Sequence, residues 1–496
     1  MKVLLELRPA LDGHSGIPQE TRLLFRGLAG MEGVDVVGLI QSSNLIVEAG
    51  LPVRGGKPVA LPDEQRIDRL SRVVVSLQQG PASHRLEHLR RKVLKLFGPA
   101  GAVLASLFGG KVSLGIFEPA HFKDFLWRGM FAKSLPDADF EIVTKQAFRV
   151  LRWPWSILHA IGVASAQLGR GLYARLDTRG IDVMVVETPF PGRTTKDTRL
   201  VVRYHDAIPL LMPHTIKDRS YHRAAHYRAL VRNARDGAWF ACVSEATRLD
   251  LLSVMPKLAN RTVTIPNMVS HHFFPETAPP ARVSEVIWSW KNRTAPHGGG
   301  APMAQAAVAE GGDLPYLLMV CTIEPRKNHL ALLEAWEQLR ARPELENLQL
   351  VFVGSLGWDH GSILARCAPW LQRGGLHLLE NVPSNDLRLL YRHARATVCP
   401  SFGEGFDFPG IEAMRCGGVV AASDIPVHRG VFGAACEYFT PYSSDDIARA
   451  LWALLGPEAH PRLEALREEG ARVAEQYLPE RILPQWREFL RNVVAT

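Results

Sequence analysis

Short apolar runs alternate with segments of helical periodicity along most of the chain. The first fifty residues contain an apolar run at Val3–Leu7, a Gly-containing loop at Asp12–Gly16, a helical pattern at Pro18–Leu28 and a second run at Val34–Ile40. This order is typical of the first βαβ unit of a parallel sheet. The same pattern resumes after residue 180, with strand-like runs at Val183–Glu187, Leu200–His205, Ala238–Val243 and Thr262–Ile265.

A second βα series begins at Pro315. Its predicted strands read PYLLMVCT, LQLVFVG, LHLLEN, RATVCPS, GGVVAAS and EYFTP, with helical segments between them. Continuously apolar strands that alternate with helices indicate a doubly wound sheet covered on both faces. The sequence therefore predicts an α/β protein with two Rossmann-like domains, whose ligands bind beyond the carboxyl ends of the strands.

The pattern also predicts the domain boundaries. We expect an N-terminal Rossmann-like domain over 1–275 with a helical basic insertion at about 60–175, and a linker or surface insertion over 276–313, where periodicity is weak. A C-terminal Rossmann-like domain is expected over 314–475. A final helix over 476–496 is expected to return to the first domain.

Composition is that of a globular protein, with 47% hydrophobic and 22% charged residues. No run of 18 apolar residues suggests a membrane-spanning helix, and the six cysteines form no C-x-x-C pair, which favours buried reduced thiols. We therefore expect a cytoplasmic protein.

The net charge of +8 is concentrated in residues 85–175, which carry 14 Lys and Arg against 6 Asp and Glu. This excess fits either an anionic membrane or acidic acceptor, or an ordinary solvated helical face, whereas no nucleic-acid-binding motif accompanies it.

The first candidate site follows the predicted strand RATVCPS. Glu404 and Glu412 are eight residues apart, one in a Gly-flanked loop and the other in the first turn of a helix that follows Pro409. Such a loop exposes backbone N–H groups at the positive end of the helix dipole, which suits an anion. The two carboxylates are suited to accept hydrogen bonds from sugar and ribose hydroxyls. A purely structural role, favourable to the helix dipole, is the alternative.

The second candidate site follows the strand PYLLMVCT. Arg326 and Lys327 stand between that strand and the next helix. Adjacent cations at this position are suited to neutralise a diphosphate leaving group, although surface charge would be the simpler explanation.

Together, the segments E-P-R-K-N and E-G-F-x-x-P-x-x-E-A-M resemble the retaining glycosyltransferases of family 4 (glycosyl transferases group 1), which have the GT-B fold. Other stretches agree in order and spacing. They are Gly13–Gly16, Tyr204–Asp206 with Ile208–Pro209, Val243–Arg248, Ile265–Asn267, and Phe352–Gly354 with Gly357–Trp358.

The resemblance implies a role for each matching residue. Arg326 and Lys327 would bind the donor diphosphate, Glu404 would contact the donor sugar, and Glu412 would hold the ribose. His205 would face the donor sugar and the acceptor across the cleft. The other implied donor contacts are the backbone N–H groups of Gly405, Phe406 and Asp407, and the loop at Gly16, whose lack of a side chain would allow close approach to the phosphates.

The resemblance also implies the reaction. A hexose, with a mannose-like sugar favoured, would pass from a nucleoside-diphosphate sugar to a saccharide or lipid-linked saccharide in surface polysaccharide or glycolipid assembly. GDP-sugar is slightly favoured over UDP-sugar as co-substrate, and neither a metal nor another cofactor is expected. The acceptor would place the protein in peripheral contact with the inner face of an anionic membrane, with no nucleic acid as partner.

Two departures from the family pattern leave alternatives open. Asp407 stands where the family usually has Gly, so its side chain is expected to reshape the sugar pocket, and Gly430 stands where Glu is frequent. A non-catalytic nucleotide-sugar-binding scaffold, a UDP-sugar-using transferase and a sugar-nucleotide hydrolase or synthase are therefore alternatives. The triplet Asp137–Asp139 resembles a metal-binding D-x-D motif, but no apolar strand precedes it, so a loop or helix cap is predicted there.

Overall fold

A computed structural model of the protein describes residues 1–13, 16–54, 57–78, 110–167, 171–294 and 314–496. Residues 79–109, which hold part of the predicted basic insertion, and residues 295–313 of the predicted linker lie outside these ranges. Within the described residues, no helix is both long and apolar enough to span a membrane.

The first domain is built on an eight-stranded sheet with the order β10-β9-β8-β7-β1-β2-β6-β5. All neighbouring pairs are parallel except β5 with β6. The strands are β1 Lys2–Glu6, β2 Asp35–Ile40, β5 Gly115–Phe117, β6 Ala147–Val150, β7 Val183–Val186, β8 Arg199–Tyr204, β9 Trp239–Cys242 and β10 Thr262–Thr264, and a separate antiparallel pair is formed by β3 Val53–Arg54 and β4 Lys57–Pro58.

The second domain contains a six-stranded, fully parallel sheet with the order β13-β12-β11-β14-β15-β16. The chain moves outward from β11 to β13 on one side and from β14 to β16 on the other, so the topological switch point lies between β11 and β14. The strands are β11 Tyr316–Val320, β12 Gln349–Val353, β13 Leu376–Leu379, β14 Ala396–Cys399, β15 Val420–Ser423 and β16 Cys436–Phe439.

Helices cover both faces of each sheet, and each sheet has a buried apolar layer on either side. The α-helices are α1 Ile17–Ala29, α2 Asp63–Gln78, α3 Lys123–Leu126, α4 Phe140–Thr144, α5 Trp155–Gln167, α6 Ile208–Leu211, α7 Arg219–Arg235, α8 Glu245–Val254, α9 Ala281–Thr294, α10 His329–Arg340, α11 Gly361–Arg373, α12 Ser384–His393, α13 Phe408–Arg415, α14 Pro426–Phe432, α15 Ser444–Leu455, α16 His460–Glu475 and α17 Pro479–Ala495.

Two sequence predictions need correction. The stretch 60–175 is not purely helical, because β5 and β6 extend the first sheet beyond β2; strands this short are too brief to show a period. The stretch 276–313 is not purely a linker, because α9 buries Val283, Val286 and Ile287 against the second domain. The triplet Asp137–Asp139 forms a 3₁₀ turn.

The last helix, α17, packs on the first domain. Its Trp486 is fully buried, and the guanidinium of Arg203 lies 5.2 Å from the Trp486 ring. Arg203, on β8, also donates to Asn267 Oδ1 at 2.7 Å and pairs with Glu20 Oε1 at 3.0 Å. This buried cluster connects the strand that precedes His205 to α1, to the segment after β10 and to the carboxyl terminus.

We expect Trp486→Ala to destabilise the first domain by about 3–5 kcal/mol, because it removes a fully buried indole and leaves a cavity. Thermal or urea unfolding followed by circular dichroism would measure the loss. The matched control is Trp288→Ala, since Trp288 is 49% exposed and its removal is expected to cost less than about 1 kcal/mol. Equal losses in the two variants would contradict the packing described here.

Candidate active site at the domain interface

The two predicted donor loops meet at the switch point of the second sheet. One loop joins β11 to α10 and contains a 3₁₀ turn at Pro325–Lys327, and the other joins β14 to α13. Because β11 and β14 are parallel neighbours, both loops leave the same edge of the sheet. The structure thereby brings Arg326 and Lys327 together with Glu404, which follows Lys327 by 77 residues in the sequence.

Glu404 is the centre of this cluster. Its carboxylate accepts from Lys327 Nζ at 2.5 Å and pairs with Arg326 Nη1 at 3.1 Å. Arg326 also donates to the Gly403 carbonyl at 2.6 Å and to Glu324 Oε1 at 2.7 Å. Two cations and two carboxylates therefore form one largely buried ion cluster.

The pKa values in this cluster follow from burial and from the opposite charges. Burial alone would raise the pKa of Glu404, but Lys327 and Arg326 outweigh it and hold this pKa well below its usual range. Burial would likewise lower the pKa of Lys327, and Glu404 more than offsets it, so the Lys327 pKa is raised. Both cations are thus fully charged at neutral pH, as anion binding requires.

Glu412 lies in the first turns of α13 and reaches the first domain. Its Oε1 accepts from Gln19 Nε2 of α1 at 2.8 Å, and its Oε2 accepts from Tyr391 Oη of α12 at 2.9 Å. Only 3% of Glu412 is exposed. Burial raises the pKa of its carboxyl to about 7, against the opposing effect of the two donors.

The space next to Glu412 is small. A cavity of about 40 Å³ is lined by Gln19, Ser134 and Ser270 from the first domain and its connection, and by Ser384 and Glu412 from the second. A single water occupies roughly 30 Å³ of liquid volume, so this conformation has no room there for a nucleoside. A cavity of about 1010 Å³ lies between α1 and α17 and is lined by none of the predicted site residues.

His205 follows β8 and faces a buried carboxylate. Its Nε2 lies 3.0 Å from Glu187 Oε2, at the end of β7. Burial lowers the pKa of His205 to about 4 and raises the pKa of Glu187 to about 8. At neutral pH the pair is therefore a neutral His205 imidazole beside a protonated Glu187 carboxyl.

The backbone of His205 touches the donor loop of the other domain. A Cβ added to Gly405 would lie 1.9 Å from the His205 carbonyl oxygen, so only glycine fits. Ser244 Oγ and Thr247 Oγ1 of the first domain donate to the Gly405 carbonyl at 2.7 and 3.2 Å. The structure therefore places His205, Gly405 and Glu404 at one interdomain contact.

The remaining predicted residues are Gly16, Phe406 and Asp407. Gly16 precedes α1 with φ of 70°, and the position where its Cβ would stand is open, with nothing within 4 Å. The Phe406 side chain is buried against Phe408 and Tyr477, so it is not available to a ligand.

Asp407 adopts the left-handed conformation, with φ of 71°, which disfavours a side chain. Its carboxylate is paired with His428 Nε2 at 3.0 Å, and His428 Nδ1 lies 2.9 Å from the Ser423 carbonyl oxygen. Ser423 Oγ in turn donates to the Ser401 carbonyl at 2.6 Å. Both ends of the 401–407 loop are thus anchored to β15 and α14. His428 itself is fully buried in α14.

Several contacts in this site could not be predicted from the sequence. One weak sequence signal points to Glu187 as a site residue, since its carboxylate directly follows a buried strand. Gln19, Tyr391 and His428 are distant in sequence from their partners, and no motif spacing links them.

The raised pKa of Glu412 predicts a pH effect on stability. The folded protein holds a proton on Glu412 up to about pH 7, whereas the unfolded chain loses it near pH 4.5, so Glu412 ionisation removes stability as the pH rises between these values. We expect Glu412→Gln to gain up to about 3 kcal/mol over the wild type between pH 5 and pH 8. Unfolding curves of both proteins at several pH values would measure the difference, and parallel profiles would show that the Glu412 pKa is ordinary.

The Asp407–His428 pair predicts non-additive mutations. We expect His428→Ala to cost about 3–5 kcal/mol because it leaves a buried carboxylate unpaired. In the Asp407→Gly background, which restores the residue frequent in the family, the same change is expected to cost much less. Denaturant unfolding of the four proteins completes this double-mutant cycle, and equal losses in both backgrounds would show that the pair is not coupled.

The chain is similar to known glycosyltransferases. Residues 304–473 match the family described as "Glycosyl transferases group 1". "Serotype-specific mannosyltransferase WbdA" of Escherichia coli is 38% identical over 166 residues, which are 32% of this chain and 20% of that protein. "O-antigen chain mannosyltransferase B" of Escherichia coli is 28% identical over 254 residues, which are 50% of this chain and 59% of that protein. The matched regions thus span less than two thirds of either relative.

Solved structures agree on the fold. The alignment with the sucrose-phosphate synthase of Thermosynechococcus elongatus covers 100% of this chain and 99% of that protein, with a TM-score of 0.56 and 15% sequence identity. The apo structure of OtsA covers 99% of each chain, with a TM-score of 0.52 and 12% identity. The predicted GT-B fold, with two Rossmann-like domains, is therefore confirmed, and residues 304–473 of its carboxyl-terminal half are similar to the glycosyl transferases group 1 family.

Proposed function

We propose that the protein is a retaining glycosyltransferase that moves a mannose-like hexose from a nucleoside-diphosphate sugar to a saccharide or lipid-linked saccharide acceptor. The observation that carries this proposal is the convergence of Arg326, Lys327 and Glu404 at the switch point of the second sheet. The names of the relatives, a serotype-specific mannosyltransferase and an O-antigen chain mannosyltransferase, support the choice of sugar and of pathway class.

In this proposal the two cations bind the donor diphosphate. Without donor, Glu404 and Glu324 balance their charge, so phosphate oxygens would take over part of that pairing. Cations fixed beside the scissile bond stabilise the charge that develops on the leaving phosphate. The freed Glu404 oxygen is then positioned to accept a hydrogen bond from a hydroxyl of the transferred sugar.

The acceptor hydroxyl would attack from the face that the leaving group occupies, which retains the anomeric configuration. Its proton would pass to the departing phosphate oxygen, so the reaction needs no separate protein base. His205, unprotonated at neutral pH, would serve as a hydrogen-bonding group at the sugar rather than as an acid. This route also needs no metal ion, because Arg326 and Lys327 supply the positive charge.

Donor entry would require the domains to separate. The cavity beside Glu412 is too small for a nucleoside, and the bond between Gln19 and Glu412 closes it. A ribose that hydrogen-bonds to Glu412 would replace Gln19. We favour GDP-mannose as donor because the relatives are mannosyltransferases, with a UDP-sugar as the alternative.

A lipid-linked acceptor would bring the protein to the cytoplasmic face of a membrane. The basic residues within 85–175 would then contact anionic lipid headgroups, and co-sedimentation with anionic vesicles at low salt tests this part of the proposal. If the protein binds anionic vesicles no better than neutral ones, the membrane contact is wrong, whereas the proposed transfer reaction is not affected.

We expect Lys327→Ala to lower the rate of sugar transfer by about 10²–10³-fold, because it removes one fixed charge at the leaving group. Initial rates with labelled GDP-mannose and UDP-glucose, each with a mannoside acceptor, would measure this. Arg366→Ala is the control, since Arg366 is an exposed arginine on α11, and it should keep the wild-type rate. NMR of the product should show the anomeric configuration of the donor.

Three outcomes would contradict the proposal. Binding of nucleotide sugar without transfer or hydrolysis would indicate a non-catalytic scaffold. Donor hydrolysis at the same rate with and without acceptor would indicate a hydrolase, and a product of inverted configuration would exclude the retaining route.

A further inference from the structure

Tyr442 is the most exposed of the large hydrophobic side chains that the structure describes, with 80% of its surface in solvent. It follows β16 and therefore lies at the carboxyl edge of the second sheet, the edge that carries the donor loops. Its ring is stacked on Phe402, with the ring centroids 5.4 Å apart and the planes inclined by 30°. Phe402 is two residues before Glu404.

The loops that carry the two rings are held in place by the cation loop. Asn328 Nδ2 donates both to the Pro441 carbonyl at 2.8 Å and to the Pro400 carbonyl at 3.1 Å. The Phe402 N–H donates to the Arg326 carbonyl at 3.0 Å. On the other side, Ser443 caps α15 by accepting from the Asp446 N–H. The aromatic pair is therefore a fixed surface feature that shares its anchors with the diphosphate-binding cations.

The pair also lies close to the domain interface. Gly403, next to Phe402, faces the first domain so closely that an added Cβ would stand 2.6 Å from Met212 Sδ. Trp358 Nε1, from the loop after β12, donates to the Thr215 carbonyl of the first domain at 2.9 Å. The exposed Tyr442 ring is thus a neighbour of the cleft in which transfer would take place.

Size and charge decide which ligand fits this surface. A stable protein partner buries roughly 800 Å² on each side, whereas an aromatic side chain offers about 150–250 Å² in all. One ring face matches one hexose, whose axial C–H groups are attracted to the negative face of an aromatic ring. An uncharged ring pair favours a neutral sugar over a phosphate.

We propose that Tyr442, supported by Phe402, forms a subsite for a neutral hexose residue of the acceptor chain, outside the residue that receives the new sugar. The inference rests on the proposed function for the identity of the acceptor. It adds a binding site on the second domain, so that an acceptor of several sugars would span the cleft and contact both domains.

Saturation-transfer NMR with α-linked mannobiose and mannotriose tests the subsite without any donor. With the wild type, we expect saturation of the ring C–H protons of one hexose. Tyr442→Ala should reduce this signal at least threefold, and Tyr442→Phe should retain it because the ring face remains. The control Tyr227→Ala removes a tyrosine of α7 that is 44% exposed, and it should bind as the wild type does.

Kinetics separates this inference from the proposed function. In a transferring enzyme, Tyr442→Ala should raise KM for mannotriose at least fivefold, and leave KM for a monosaccharide acceptor and for the donor unchanged. The subsite would be overturned if the wild type shows no saturation-transfer signal from the oligosaccharides, or if Tyr442→Ala shows the same signal as the wild type. Either result holds whether or not the enzyme transfers sugar. Saccharide binding that depends on Tyr442 in a protein without transfer activity would instead contradict only the proposed function.

Discussion

The carboxylate of Glu404, buried between Lys327 and Arg326, is the interaction on which the site depends. An isolated carboxylate would lose its hydration at this position at a cost of several kcal/mol, and the two cations compensate for that loss. The same pairing keeps both cations charged and holds them at the sheet edge. Because the ion cluster is compact and internally neutral, an incoming diphosphate would exchange one set of anionic oxygens for another.

The fold supplies this geometry through the position of the switch point. β11 and β14 are neighbours, so the loops after them meet although they are far apart in sequence. The first domain completes the site from outside. Its Ser244 and Thr247 bind the Gly405 carbonyl, and its Gln19 binds Glu412. These contacts involve only a few polar groups, which is compatible with domains that open for the donor and close again.

Much of this could be predicted from the sequence. Fully buried parallel strands such as Tyr316–Val320 appear as continuous apolar runs, and charged residues just after such strands, such as Arg326, Lys327 and Glu404, mark the ligand edge. What the sequence did not reveal has physical reasons. β5 and β6 are too short to show periodicity, and α9, which buries Val283, Val286 and Ile287, lies beside Gly- and Pro-rich sequence. The partners of Glu412 and Asp407 come from other elements, so they depend on tertiary packing. Asp407 is an example: its occurrence in place of glycine is explained by His428, which only the structure places beside it.

Calorimetric titration with GDP and UDP, each compared with its own nucleoside, tests most directly whether this site binds a pyrophosphate. If Arg326 and Lys327 hold the diphosphate, at least one nucleoside diphosphate should bind at least tenfold more tightly than its nucleoside, which corresponds to about 1.4 kcal/mol. That difference should disappear in Lys327→Ala. A nucleoside that binds as tightly as its diphosphate, or a difference that survives the loss of Lys327, would show that the cations at the sheet edge do not serve a pyrophosphate-bearing ligand.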